Sequence, residues 1–91
     1  MENFEKGLET LKEKLNEQTW PAVYFFKFIV PSENEKISMV HSLFDDTADI
    51  KMRNSSSGKF TSIGIKTVMM DSESILEVYR KVSKIEGIIS L

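Results

Sequence analysis

From Ala22 to Val30 every residue except Lys27 is apolar. No other stretch limits the fold so strongly. The run is far too short to span a bilayer, so it reads as a strand inside a folded domain. Alternation places Tyr24, Phe26, Phe28 and Val30 on one face and Val23, Phe25, Lys27 and Ile29 on the other. A strand apolar on both faces belongs in the middle of a sheet, with both faces at least partly covered. Lys27 marks the less buried one. Trp20-Pro21 precedes the run, and Pro21 turns Trp20 away from helix and suits the start of a strand.

The remaining elements follow from periodicity. Phe4, Leu8, Leu11 and Leu15 form one apolar stripe on a helix from about residue 3 to 16. Ser32 and Glu35 have capping-box spacing and open a helix with Ile37, Val40, Leu43 and Phe44 on its buried face. Residues 48–53 alternate as a half-exposed strand, with Ala48, Ile50 and Met52 inward. The turn-forming run 54–58 joins this strand to another over 59–69, with Ile63 and Ile65 on one face. Asp71 or Ser72 caps a last helix lined by Ile75, Tyr79, Val82 and Ile85. Gly87 ends it, and Ile88 to Leu91 form a terminal strand.

After the N-terminal helix the order is βαββαβ, which predicts an α+β, ferredoxin-like two-layer sandwich. Its antiparallel sheet has the order 4-1-3-2, with both helices on one side. Two parts are expected: an N-terminal amphipathic helix and linker over 1–19, and the ferredoxin-like domain over 20–91. The helix stripe is expected to dock on its own domain, where it partly covers the sheet face opposite the other helices.

The function classes narrow by chemistry. The chain lacks cysteine, which excludes disulfides, thiolate-bound zinc and thiol catalysis. His41 is the single histidine and lies at the edge of an apolar helix face, so a packed role is expected, with no metal. No Ser/His/Asp set assembles, so neither catalytic residues nor cofactors are expected and the protein is read as no enzyme. The N-terminus carries charges where a signal peptide needs an apolar core, which makes the cytoplasm the expected compartment.

Two surfaces remain as candidates. The loop Ser55, Ser56, Ser57, Gly58, Lys59 and Phe60, continued by Ser62, offers hydroxyls, backbone N–H groups and a cation to a ligand or partner. It is not a P-loop, since the glycine spacing and the following helix are missing. The second surface is the sheet face opposite Ile63 and Ile65, with Phe25, Lys27, Lys51, Arg53 and Lys66 beside Phe60 and Ser62. Basic and aromatic groups on a sheet resemble RNA-recognition motifs, which makes single-stranded nucleic acid the alternative partner. Two features weigh against it. Ser62 stands where a second ring is needed, and the net charge is −2. The partner expected first is a protein or small ligand, with a homodimer as one form, and no membrane is expected.

The segments Phe26 to Val30, Ser55 to Ser62, Val78-Tyr79 and Ile85 to Leu91 together resemble the YbeD-like family of small bacterial proteins. The resemblance covers about residues 23–91. Its most specific part is the Ser-Ser-x-Gly-x-aromatic-x-Ser loop. It implies a ferredoxin-like fold close to ligand-sensing ACT domains and a regulatory role, and it implies no activity. ACT domains commonly bind amino acids near a glycine that follows the first strand, and residues 31–35 contain none here. The positions that carry over from the family's loop are Ser55, Ser56, Gly58, Phe60 and Ser62.

Overall fold

A computed structural model describes the backbone of residues 2–91 and the side chains from Phe4 onward. The elements are α1 (Glu2–Asn16), β1 (Ala22–Pro31), α2 (Asn34–His41), β2 (Asp49–Asn54), β3 (Phe60–Met69), α3 (Ser72–Val82) and β4 (Ile89–Ser90). The four strands form one antiparallel sheet in the order β2-β3-β1-β4. That is the expected ferredoxin-like order read from the other edge, with β1 and β3 central.

Register follows the hydrophobic pattern. Phe26 pairs with Ile65 and Phe28 with Ile63, which puts four fully buried side chains on one face. A one-residue slip would turn all of them to water, so this register is strongly specified. Val40, Ile75, Leu76 and Val82 close the core from α2 and α3. Phe26 is its centre, with the rings of Tyr24, Phe28, Phe44 and Tyr79 all within 6 Å between centroids. The hydroxyls of Tyr24 and Tyr79 meet at 3.1 Å, so the polar ends of this aromatic cluster satisfy one another. Burial, and then the Tyr24 hydroxyl, hold the Tyr79 phenol above its ordinary pKa.

The start of α3 is capped as its sequence predicts. Asp71 Oδ1 accepts from the Ser74 backbone N–H and from its hydroxyl, each at 2.7 Å. The hydroxyl and then the N–H pull the Asp71 carboxyl below its ordinary range. Glu73 is held low chiefly by Arg80, whose guanidinium donates to it at 2.8 Å.

Four expectations need correction. The first concerns α1. Its Leu8 and Leu15 are buried, but the helix packs beside α3 in the helical layer and not on the open side of the sheet. Polar ties fix it there: Ser72 Oγ donates to Asn16 Oδ1 at 2.6 Å, and Trp20 Nε1 donates to the Leu15 carbonyl at 2.9 Å.

The second concerns β1. Its Phe26, Phe28 and Val30 face is buried, but the other face is bare, with Val23 59% and Phe25 62% exposed.

The third is the capping box. Glu33 stands at the N-cap of α2 without a side-chain cap bond. Ser32 Oγ instead donates to Thr61 Oγ1 at 2.8 Å, and Thr61 passes the chain on to Asn54 Oδ1 at 3.0 Å. The hydroxyl thus ties the β1 exit to β3 and β2, a long-range alternative to the local cap.

The fourth is extent. α2 ends at His41, so Leu43 and Phe44 pack from a turn, and β4 has only two residues, extended by a bond from the Leu91 N–H to the Lys27 carbonyl at 2.9 Å.

Candidate functional site

The uncovered side of the sheet holds Asp49, Lys51 and Arg53 from β2 and Phe60, Ser62, Gly64, Lys66 and Val68 from β3. β1 adds Val23, Phe25, Lys27 and Ile29, and β4 with its end adds Ile89 and Leu91. Pairing sets these side chains in rows. Lys51, Gly64 and Lys27 share one row, and Arg53, Ser62, Ile29 and Ile89 the next. Phe25 leans over Gly64, where its Cζ would lie 3.4 Å from an added Cβ. The ring thereby fills the gap between the two lysines.

The surface is both apolar and basic. Val23, Phe25, Phe60, Val68, Ile89 and Leu91 are large hydrophobic residues left in water. Lys27, Lys51, Arg53 and Lys66 form no ion pair among the described residues. Asp49 is the one acidic side chain on this side among the described residues, and it too is outside any such pair. Contrast Arg80 on α3, which sits between Glu73 at 2.8 Å and Glu77 at 3.5 Å. A groove of about 600 Å³ runs beside Arg80 between α1 and α3, with Glu5, Glu77, Lys81 and Lys84 also on its walls, so both signs of charge line it and Arg80 is already paired with Glu77.

The loop candidate resolves into two parts. Gly58 adopts φ +75°, a conformation that glycine reaches without strain. The Ser55 and Ser57 hydroxyls serve the loop itself. Ser55 Oγ accepts from the Phe60 N–H at 3.2 Å and Ser57 Oγ from the Lys59 N–H at 3.3 Å. The Ser55 N–H donates to the Phe60 carbonyl, and the Ser32 N–H donates to the Lys59 carbonyl, which moors the hairpin to the β1 exit. Ser57, Gly58 and Lys59 therefore form the tip. Ser55, Ser56, Phe60 and Ser62 turn toward the sheet, where with Ile29, Arg53 and Asn54 they line a cavity of about 270 Å³.

The structure thus joins Ser55, Ser56, Phe60 and Ser62 to Arg53 in one depression. Phe25, Lys27, Lys51 and Lys66 lie farther along the same face. Ile29 and Asn54 were not singled out from the sequence. Ile29 becomes a neighbour of Ser62 only through the β1–β3 register, and Asn54 reads locally as a turn residue. His41 stands elsewhere, with Nε2 3.3 Å from Met52 Sδ at the edge formed by α2 and β2. No cluster of three or more His, Asp or Glu side chains suited to a metal occurs among the described residues. No helix there is long and apolar enough to cross a membrane.

Residues 16–91 match the model of a family described as "Protein of unknown function (DUF493)". The solution structure of protein HP0495 from H. pylori superposes with a TM-score of 0.62 at 13% identity, over 81% of this chain and 85% of that one. At that identity the likeness is one of fold. No curated protein matches.

Proposed function

We infer, from the premise that this chain belongs to the YbeD family of proteins of unknown function (DUF493), that it is a small non-catalytic protein-interaction module of regulatory type. Its working surface is the bare face of the sheet, including the loop-side depression. One observation carries this reading: large apolar side chains on a central strand are left in water beside four cations that form no ion pair among the described residues. Contiguous exposed apolar surface rimmed by polar groups marks interaction sites. Ligand sensing in the manner of ACT domains has less support, because residues 31–35, which follow the first strand, contain no glycine.

The alternative is single-stranded nucleic acid, favoured by the same four cations and by the rings of Phe25 and Phe60. It is weakened by the aliphatic character of the other exposed groups, Val23, Val68, Ile89 and Leu91, which make poor stacking platforms.

A photo-crosslinking amino acid placed at Phe25 tests the reading, with Glu9 on exposed α1 as the control position. Discrete protein adducts from position 25 and none from position 9 are expected in the native host. Adducts to nucleic acid alone, or equal labelling from both positions, would overturn it.

A further inference from the structure

We propose that the depression lined by Arg53, Ser56, Phe60 and Ser62 is a subsite for a carboxylate carried by an acidic, apolar segment of a partner protein laid across the sheet. This rests on the bare face being a protein-binding surface, and it names what that surface recognises.

Four observations lead there. The Arg53 guanidinium is on the rim with no carboxylate in reach among the described residues, whereas Arg80 on the opposite layer is doubly paired. The Ser56 side chain, which lines the same depression, takes no part in the hydrogen bonds that occupy Ser55 and Ser57. An unpaired guanidinium with a neighbouring hydroxyl donor suits a carboxylate, which accepts two parallel bonds from the fork. Ile29 and Phe60 give the cavity apolar walls, and about 270 Å³ is room enough for an acidic side chain and its stem.

Charge selects the occupant. A second copy of this chain, paired face to face about a two-fold axis, would set the cations Lys27, Lys51, Arg53 and Lys66 against the same four. Like charges brought together in an interface are repulsive. Nucleic acid would satisfy the cations but would leave the aliphatic groups against sugar and phosphate. A protein segment with carboxylates among apolar side chains answers both halves of the surface.

The test uses the full chain, labelled with ¹⁵N, and a decapeptide that alternates Asp with Leu. The comparison probes are its Asn-for-Asp counterpart and a thymidine oligonucleotide. Saturable amide shifts at Arg53, Ser55, Ser56, Phe60 and Ser62 are expected with the acidic peptide. Arg53→Gln and the Asn peptide should each weaken binding about ten-fold or more, the size expected for a lost hydrogen bond between charged groups. Phe25→Ser should weaken it as well, through the shared face. Thermal melts check that both variants fold.

If Phe25→Ser abolishes binding and Arg53→Gln leaves it unchanged, the face survives and the carboxylate subsite falls. Equal binding of the Asp and Asn peptides also overturns the subsite. Shifts with the oligonucleotide and none with the acidic peptide overturn both the subsite and the protein-binding face.

Discussion

Phe25 and Phe26 are neighbours in β1 with opposite surroundings, and replacing each in turn tests whether one side of the sheet is bare. Phe26 is fully buried against four other rings. Phe26→Ala removes those contacts and leaves a cavity, a change that costs about 3–5 kcal/mol. Phe25 is 62% exposed, so it keeps little more than a third of its surface from water. Full burial of such a side chain is worth about 1.5–3 kcal/mol, so Phe25→Ser should cost about 1 kcal/mol or less. In a domain of this size each kcal/mol moves Tm by about 4–8 °C. The expected shifts are therefore at least about 12 °C for Phe26→Ala and no more than about 8 °C for Phe25→Ser. Circular dichroism melts and urea titrations at matched concentration read both. Equal shifts, or a larger one for Phe25→Ser, would mean that the bare face is covered within the chain and that the reasoning is wrong.

Two glycines should respond in opposite directions. Gly87 has φ +82° and an added Cβ would meet Pro31 Cγ at 2.9 Å, so Gly87→Ala should destabilise by more than the roughly 1–2 kcal/mol of the backbone term alone. Gly7 lies inside α1 with open space around it, so Gly7→Ala should stabilise by about 0.5–1 kcal/mol, and denaturant midpoints decide both. Acid should weaken the fold in a defined way. The carboxyls of Asp45, Asp71 and Glu73 are held below their ordinary range by Thr47, Ser74 and Arg80 respectively. Their stabilising effect is thus complete above the unfolded carboxyl range near pH 4 and lost as pH falls through their lower folded values. Melts from pH 7 to 3 should show that decline, and Asp71→Asn should flatten it, since the amide still caps but no longer titrates. An unchanged acid limb in that variant would remove Asp71 from the account.

Much of this fold is legible in the chain because its signals are local and agree. Alternation in residues 22–30 and 59–69 specifies the two central strands, and Asp71 and Gly58 do what their types favour. Three of the errors share one cause, which is that the deciding partner is distant in sequence. Ser32 has the spacing of a cap, yet its hydroxyl finds Thr61, 29 residues away. The stripe of α1 predicts burial but does not identify α3 as the surface it meets. The second apolar face of β1 looks internal because composition does not distinguish a face covered by its own chain from one left bare. The candidate surface was visible in part through Lys27, Lys51, Arg53 and Lys66. Its cavity was not, because Ile29, Asn54 and Ser56 come together only once three strands are in register.

The bare side also makes the molecule electrically lopsided. Four cations against one acidic side chain stand there on a chain of net charge −2, so the remainder carries −5. Such a particle has a large dipole whose positive end is the sheet. Approaching a negatively charged body, it turns that end forward before any contact forms. Encounter is then faster than chance orientation allows, and added salt slows it by shortening the reach of the field to about 8 Å at physiological strength.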